Sequence, residues 1–157
     1  MPGFRHEATV EIFQDEPLLV LALLKDAWAH VRLGPEATAI LADSNLSDRD
    51  PEEIKSMFAD NVFVFRDGGR RIAVVAEVQT TSPDHERSLK WPAHAANARA
   101  RHDCLTYLLV FATSRAAARG SAKAIRMGHP GWNLTPLITG IGRTPGTPEE
   151  SGPMQQS

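Results

Sequence analysis

Asp60, Glu77 and Gln79 have the types and spacing to do chemistry. Two β-rich runs, Val62–Phe65 and Ile72–Val78, flank Asp67-Gly68-Gly69, which is the signature of a hairpin. Asp60 opens the first arm. Glu77 and Gln79 lie two residues apart near the end of the second, so the strand period puts them on one face. Glu77 follows the apolar stretch Ile72–Ala76, and an acid in such a strand must be exposed, paired or bound to a cation. Two carboxylates converging at one sheet edge suit a hard divalent cation with oxygen ligands. Mg2+ held there polarises a phosphoryl oxygen and acidifies an attacking water. The same residues would equally serve as a strand end and a turn cap, because acid-x-amide is a short and common pattern.

The segment after the hairpin supplies the complementary charge. On a helix, Arg87, Lys90, His94, Asn97 and Arg101 fall within a sector of about 80°, with Leu89, Ala93, Ala96 and Ala100 largely outside it. That basic stripe can track nucleic-acid phosphates, or it can be an ordinary wet helix face. The wider charge pattern has the same polarity. Residues 1–83 hold 8 Lys+Arg against 14 Asp+Glu, whereas residues 84–126 hold 8 against 3, inside a net charge of only −2. An acidic half followed by a basic segment is compatible with a cation site beside a phosphate-binding surface.

Other motifs point nowhere. His6-Glu7 begins like a zinc-protease helix, but Val10 stands where the second ligand histidine would be. His85, His94 and His102 have no cysteine companions at zinc spacing, and Cys104 opens an apolar run as a small hydrophobe. Gly140-x-Gly142 leads into a proline-containing tail rather than a helix, so it is no dinucleotide loop. Trp91 and Trp132 can stack on bases, although a lone tryptophan is more often core.

These residues need a scaffold, and 157 residues suffice for one domain without a disulfide or metal staple. One cysteine excludes an internal disulfide and fits a reducing, cytoplasmic setting. The longest apolar stretch, Pro17–Leu24, is too short for a membrane span, and the charged Arg5, His6, Glu7 and Glu11 do not read as a signal peptide. Patterning predicts a helix over Arg5–Gln14, a second from Pro17 to about Val31, and a strand over Ala37–Leu46. A turn at Asp48–Pro51 then leads into a short helix through Met57. Beyond the hairpin come a helix starting at Ser88–Trp91 and running to His102, and a buried strand over Leu105–Thr113. A short helix over Ala116–Arg119 and edge strands at Ile125–Met127 and Leu134–Thr139 complete an α/β layer architecture with a mixed sheet. The composition predicts a domain over residues 1–142 and a disordered tail over 143–157.

The series HEATVEIF, ADNVFVF, AVVAEVQ, RSLKWPAHAANARAR and CLTYLLVF resembles a family of small bacterial proteins in the PD-(D/E)XK nuclease superfamily, near its recombination-promoting nuclease and transposase branch. The resemblance spans roughly residues 5–139. It implies a restriction-endonuclease-like αβββαβ core and Mg2+- or Mn2+-dependent hydrolysis of nucleic acid, as a DNA endonuclease. In this likeness Asp60 matches the metal-binding aspartate and Glu77 the acid of the (D/E)-x-K element, with the Val78 carbonyl as a further metal ligand. Gln79 stands in place of the lysine that usually orients water and stabilises developing charge. Glutamine also occurs there in the branch concerned. Lys90 or Arg87 would supply the missing cation from the following helix, and Glu7 would match an auxiliary acid on the first helix. Ala59 precedes Asp60 where the name-giving motif has proline. His94, Asn97 and Arg101 would join Arg87 on the nucleic acid, and the resemblance allows a homodimer. The alternative is a non-catalytic module that keeps the fold and binds nucleic acid or protein, or serves transposition as an accessory.

Overall fold

The protein's structure, a computed structural model, describes residues 3–44 and 59–140. The expected turn at Asp48–Pro51, the helix through Met57 and the tail over 143–157 lie outside the described residues, as does Leu46.

Helices α1 (Phe4–Asp15) and α2 (Pro17–Ala27) follow one another directly, with Pro17 in the first turn of α2, where its missing N–H costs no helical bond. Strands β1 (Thr38–Ala42), β2 (Asn61–Asp67) and β3 (Arg70–Gln79) form an antiparallel meander. The β2–β3 turn is the two-residue Gly68-Gly69, and Gly68 takes the positive φ of 61° that such a hairpin turn needs. Helix α3 (His85–His102) crosses over to β4 (Leu105–Ala112), which pairs parallel with β3. After α4 (Arg115–Ser121), the chain forms a small ribbon of β5 (Ile125–Arg126) and β6 (Asn133–Leu134). Strand β7 (Leu137–Thr139) then adds parallel to β4. The five-stranded mixed sheet has the order β1-β2-β3-β4-β7.

Strands β2 and β3 read as continuous apolar runs because both faces of the sheet are covered. On one face Phe63, Phe65, Val74, Ala76 and Val78 pack with Phe13, Val20 and Leu24 of α1 and α2. On the other, Val62, Val75, Leu108 and Val110 pack with Trp91 and Ala98 of α3. Glu77, in register with Val75, therefore points toward the α3 side of a sheet that offers it no water.

The strand expected over Ala37–Leu46 ends at Ala42, and three other predicted boundaries move for a plain physical reason. Helix α2 stops at Ala27 rather than near Val31, because Val31 and Leu33 bury their side chains with Arg32 exposed between them, an extended alternation. Helix α3 begins at His85, where the Asp84 carboxylate accepts the Arg87 N–H at 2.7 Å, so Pro92 lies inside the helix. The proline costs about 3 kcal/mol in principle. Burial of Trp91, Pro92, His94 and Ala98 against the sheet offsets it. The predicted strand over Leu134–Thr139 splits at Pro136, which lacks the N–H a continuous ladder requires. Among the described residues no helix is long and apolar enough to cross a membrane.

Candidate acid-pair site at the end of strand β3

Asp60 immediately precedes β2 and Glu77 lies near the end of β3, so the hairpin's open end brings both acids to one edge of the sheet. Helix α1 reaches this edge from one side and α3 from the other. Asn61 fastens the first helix there, donating to the Val10 carbonyl at 3.3 Å and accepting from Gln14 at 2.9 Å. The ends of β3 and β4 are tied as well. Gln79 O accepts the Thr113 N–H at 3.0 Å, and the Ser114 hydroxyl donates to Thr80 O at 3.1 Å.

Each acid is held by an imidazole. His6 Nε2 donates to Asp60 Oδ2 at 2.9 Å, and the Val78 N–H donates to the same oxygen at 2.8 Å. His94 Nδ1 and Glu77 Oε1 share a hydrogen bond of 3.0 Å. The far nitrogens, His6 Nδ1 and His94 Nε2, are buried and have no hydrogen-bond partner among the described residues. A weaker contact joins the two acids, from the Asp60 N–H to Glu77 Oε2 at 3.4 Å. Arg87 spans both: its Nη2 lies 3.7 Å from Asp60 Oδ2 and 3.6 Å from Glu77 Oε2.

The electrostatics separate the two acids. Burial in the sheet pushes Glu77 up to about 7, and the nearby Asp60 charge adds to the effect, against the pull of His94 and Arg87. For Asp60, burial acts upward but is outweighed by the hydrogen bonds from His6 and Val78, so its carboxyl titrates below the usual range. His6 is raised chiefly by its hydrogen bond to Asp60. Near neutrality the site thus holds one firm carboxylate beside one carboxyl poised to give up its proton. Such a split is a recognised mark of functional sites.

The structure redistributes the roles expected from sequence. Asp60, Glu77 and Arg87 come together, and Gln79, nearly buried, lies two residues beyond Glu77 on the same face of β3. Glu7 does not join them. It is exposed, and its neighbour His6 is the residue that α1 delivers. Helical spacing explains the exchange: His6 is in phase with Val10 and Phe13, which pack into the core, whereas Glu7 is in phase with the exposed Glu11. Lys90 does not reach the acids either. Its Nζ pairs with Glu86 one turn back at 3.6 Å, on the outer part of α3. His94, expected along a bound strand, is only 4% exposed and faces Glu77. Asn97 is half-buried one turn farther along, and Arg101 is exposed one turn beyond that. Val78 meets Asp60 through its N–H, which anchors the carboxylate. Trp91 is fully buried and takes no part in a surface.

Mg2+ is commonly held by one or two carboxylates plus water and substrate oxygens, and Asp60 Oδ2 and Glu77 Oε2 fit that donor set. Both lie within 3.7 Å of one cationic nitrogen, Nη2 of Arg87. Among the described residues no group of three or more His, Cys, Asp or Glu side chains is arranged around one metal position. No protein-family model matches the chain, and no curated protein matches it.

Proposed function

We propose that this protein is a divalent-metal-dependent phosphodiesterase acting on nucleic acid, DNA in the first instance, on a restriction-endonuclease-like αβββαβ core. The observation that carries the reading is the convergence of Asp60 and Glu77 on one cationic nitrogen, that of Arg87, at 3.6–3.7 Å. The element order supports it, with an antiparallel hairpin bearing the acids followed by a helix and a parallel strand. So does the position of Glu77 near the C-terminal end of β3, the end where open α/β sheets place their ligands.

Asp60 and Glu77 would hold Mg2+ or Mn2+, which supplies Lewis-acid polarisation of the phosphoryl oxygen and an acidified water. A cation held there would favour the ionised form of Glu77. His6 and His94 keep the two carboxylates in fixed orientations. Gln79 offers an amide that can orient water but no charge, so the charge opposite the phosphate falls to Arg87 rather than Lys90.

One observation favours a different reading. Both acids already have cationic or hydrogen-bonding partners inside the protein, as expected of a binding module that keeps the fold without cleaving. A cleavage assay with DNA and RNA, in Mg2+ and in Mn2+, separates the two. Metal-dependent hydrolysis is expected to fall by about a hundredfold or more in Asp60→Asn, Glu77→Gln and Arg87→Ala, and to persist in Lys90→Ala. Absence of cleavage in both the wild type and Gln79→Lys, with both folded, would award the case to the binding module.

A further inference from the structure

The contacts around the acid pair fall into two kinds. Those from His6, Val78 and His94 measure 2.8–3.0 Å and are true hydrogen bonds. Those from Arg87 measure 3.6 and 3.7 Å, beyond directed hydrogen bonding, so the guanidinium is held by charge alone. The side chain is 42% exposed, although its backbone N–H is pinned by the Asp84 cap. A fixed root and a loosely held head allow the guanidinium to swing outward without disturbing α3. It also sits in the first turn of α3, where the helix dipole disfavours positive charge. Among the described residues, the two acids are what hold it inward.

We propose that Arg87 is the resident counter-ion of the Asp60–Glu77 pair, and that a divalent cation loads the site only by displacing it. The inference rests on the reading that these two acids hold the cation. A divalent ion held by Asp60 Oδ2 and Glu77 Oε2 would take the same two oxygens that Nη2 now faces at 3.6–3.7 Å, and a second positive centre beside it would be repelled. Displacement turns the guanidinium toward solvent at the mouth of the site. There its planar fork can take a phosphate bidentately. Arg87 thereby couples cation loading to anion capture: the cation evicts it, and the substrate phosphate gives it a second partner.

The test is a Mn2+ titration by calorimetry on the full chain, comparing wild type, Arg87→Gln, Arg87→Lys and the double variant Arg87→Gln/Glu77→Gln. With the competitor removed, Arg87→Gln binds Mn2+ about tenfold or more tighter than wild type. Arg87→Lys, which keeps the charge, stays near wild type, and the double variant loses the gain. Arg87→Gln binding no tighter than a wild type that does bind would overturn the displacement and leave the cation site standing. Absence of Mn2+ binding in both would overturn the cation site as well. A second readout needs no charge-removing variant. In wild type, the Arg87 side-chain Nε–H resonance, assigned by its loss in Arg87→Lys, shifts and exchanges faster with solvent on adding Mg2+. An unchanged resonance at saturating Mg2+ would contradict displacement.

Discussion

Asp60 and Glu77 are bound to histidines at nearly equal distances, 2.9 and 3.0 Å, yet they are driven to opposite sides of the ordinary carboxylate range. The difference lies in the strand positions rather than in the imidazoles. Asp60 sits at the open end of β2, is 13% exposed, and accepts a backbone N–H besides its histidine. Glu77 sits inside β3, is 1% exposed, and has only the long 3.4 Å contact from a backbone N–H. A hydrogen bond to a histidine therefore does not by itself fix the charge of a carboxylate. Desolvation and the number of competing donors decide it. The pair consequently combines one carboxyl whose ionised form its donors favour and one whose ionisation burial opposes.

Cutting the buried pair gives the largest effect. His94→Ala leaves Glu77 in a dry sheet without its imidazole and is expected to cost about 3–5 kcal/mol at pH 8, measured by urea denaturation. The loss shrinks at pH 5, where the carboxyl is protonated. His6→Ala, on the more open acid, is expected to cost about 1–2 kcal/mol and to show less of this pH dependence. Equal losses at both sites would remove the contrast.

Next in size is the pH dependence of stability in the presence of a chelator. Between the ordinary glutamate value of 4.5 and about 7, Glu77 is ionised in the unfolded chain and protonated in the native one. Its contribution is complete below pH 4.5 and is lost as pH rises through about 7. His6, also raised, acts in the same direction, being fully favourable below 6.5 and lost as pH rises through its folded value. Asp60 is lowered, so its contribution is present above 3.8 and is lost only as pH falls through its lower folded value. Stability therefore declines from pH 5 to pH 8, by up to about 3 kcal/mol from Glu77, and Glu77→Gln flattens most of the slope. A profile that rises over this interval would reverse the assignment.

Much of the scaffold is legible in the sequence because its signals are local. Val62–Phe65, Ile72–Val78 and Gly68-Gly69 specify a hairpin by composition and turn chemistry, and Leu105–Thr113 reads as a buried strand from its apolar run, one residue longer than the strand observed. The meeting of Asp60 and Glu77 follows from that hairpin. The helices are harder because the sequence shows their periodicity but not which side the sheet will take. In α3 the charged and polar stripe resembles an outer face. Yet Trp91, His94 and Ala98 turn inward, and Leu89, Ala96 and Ala100 are exposed. Alanine is too small and too indifferent to declare a face, and Glu77 inside β3 recruits His94 as its partner. In α1 the clue was available: the spacing of Val10 and Phe13 selects His6 over Glu7, although an acid is the more familiar site residue.

Thermal melting with and without millimolar Mg2+ or Mn2+ tests most directly the proposal that Asp60 and Glu77 form one cation site. Binding to the native state alone raises stability by about 2.7 kcal/mol at a hundred times the Kd, so the wild-type melting temperature should climb by several degrees. Glu77→Ala and Asp60→Asn should each abolish the increase while remaining folded. An equal metal-induced shift in wild type and in both variants would place the cation elsewhere and contradict the account.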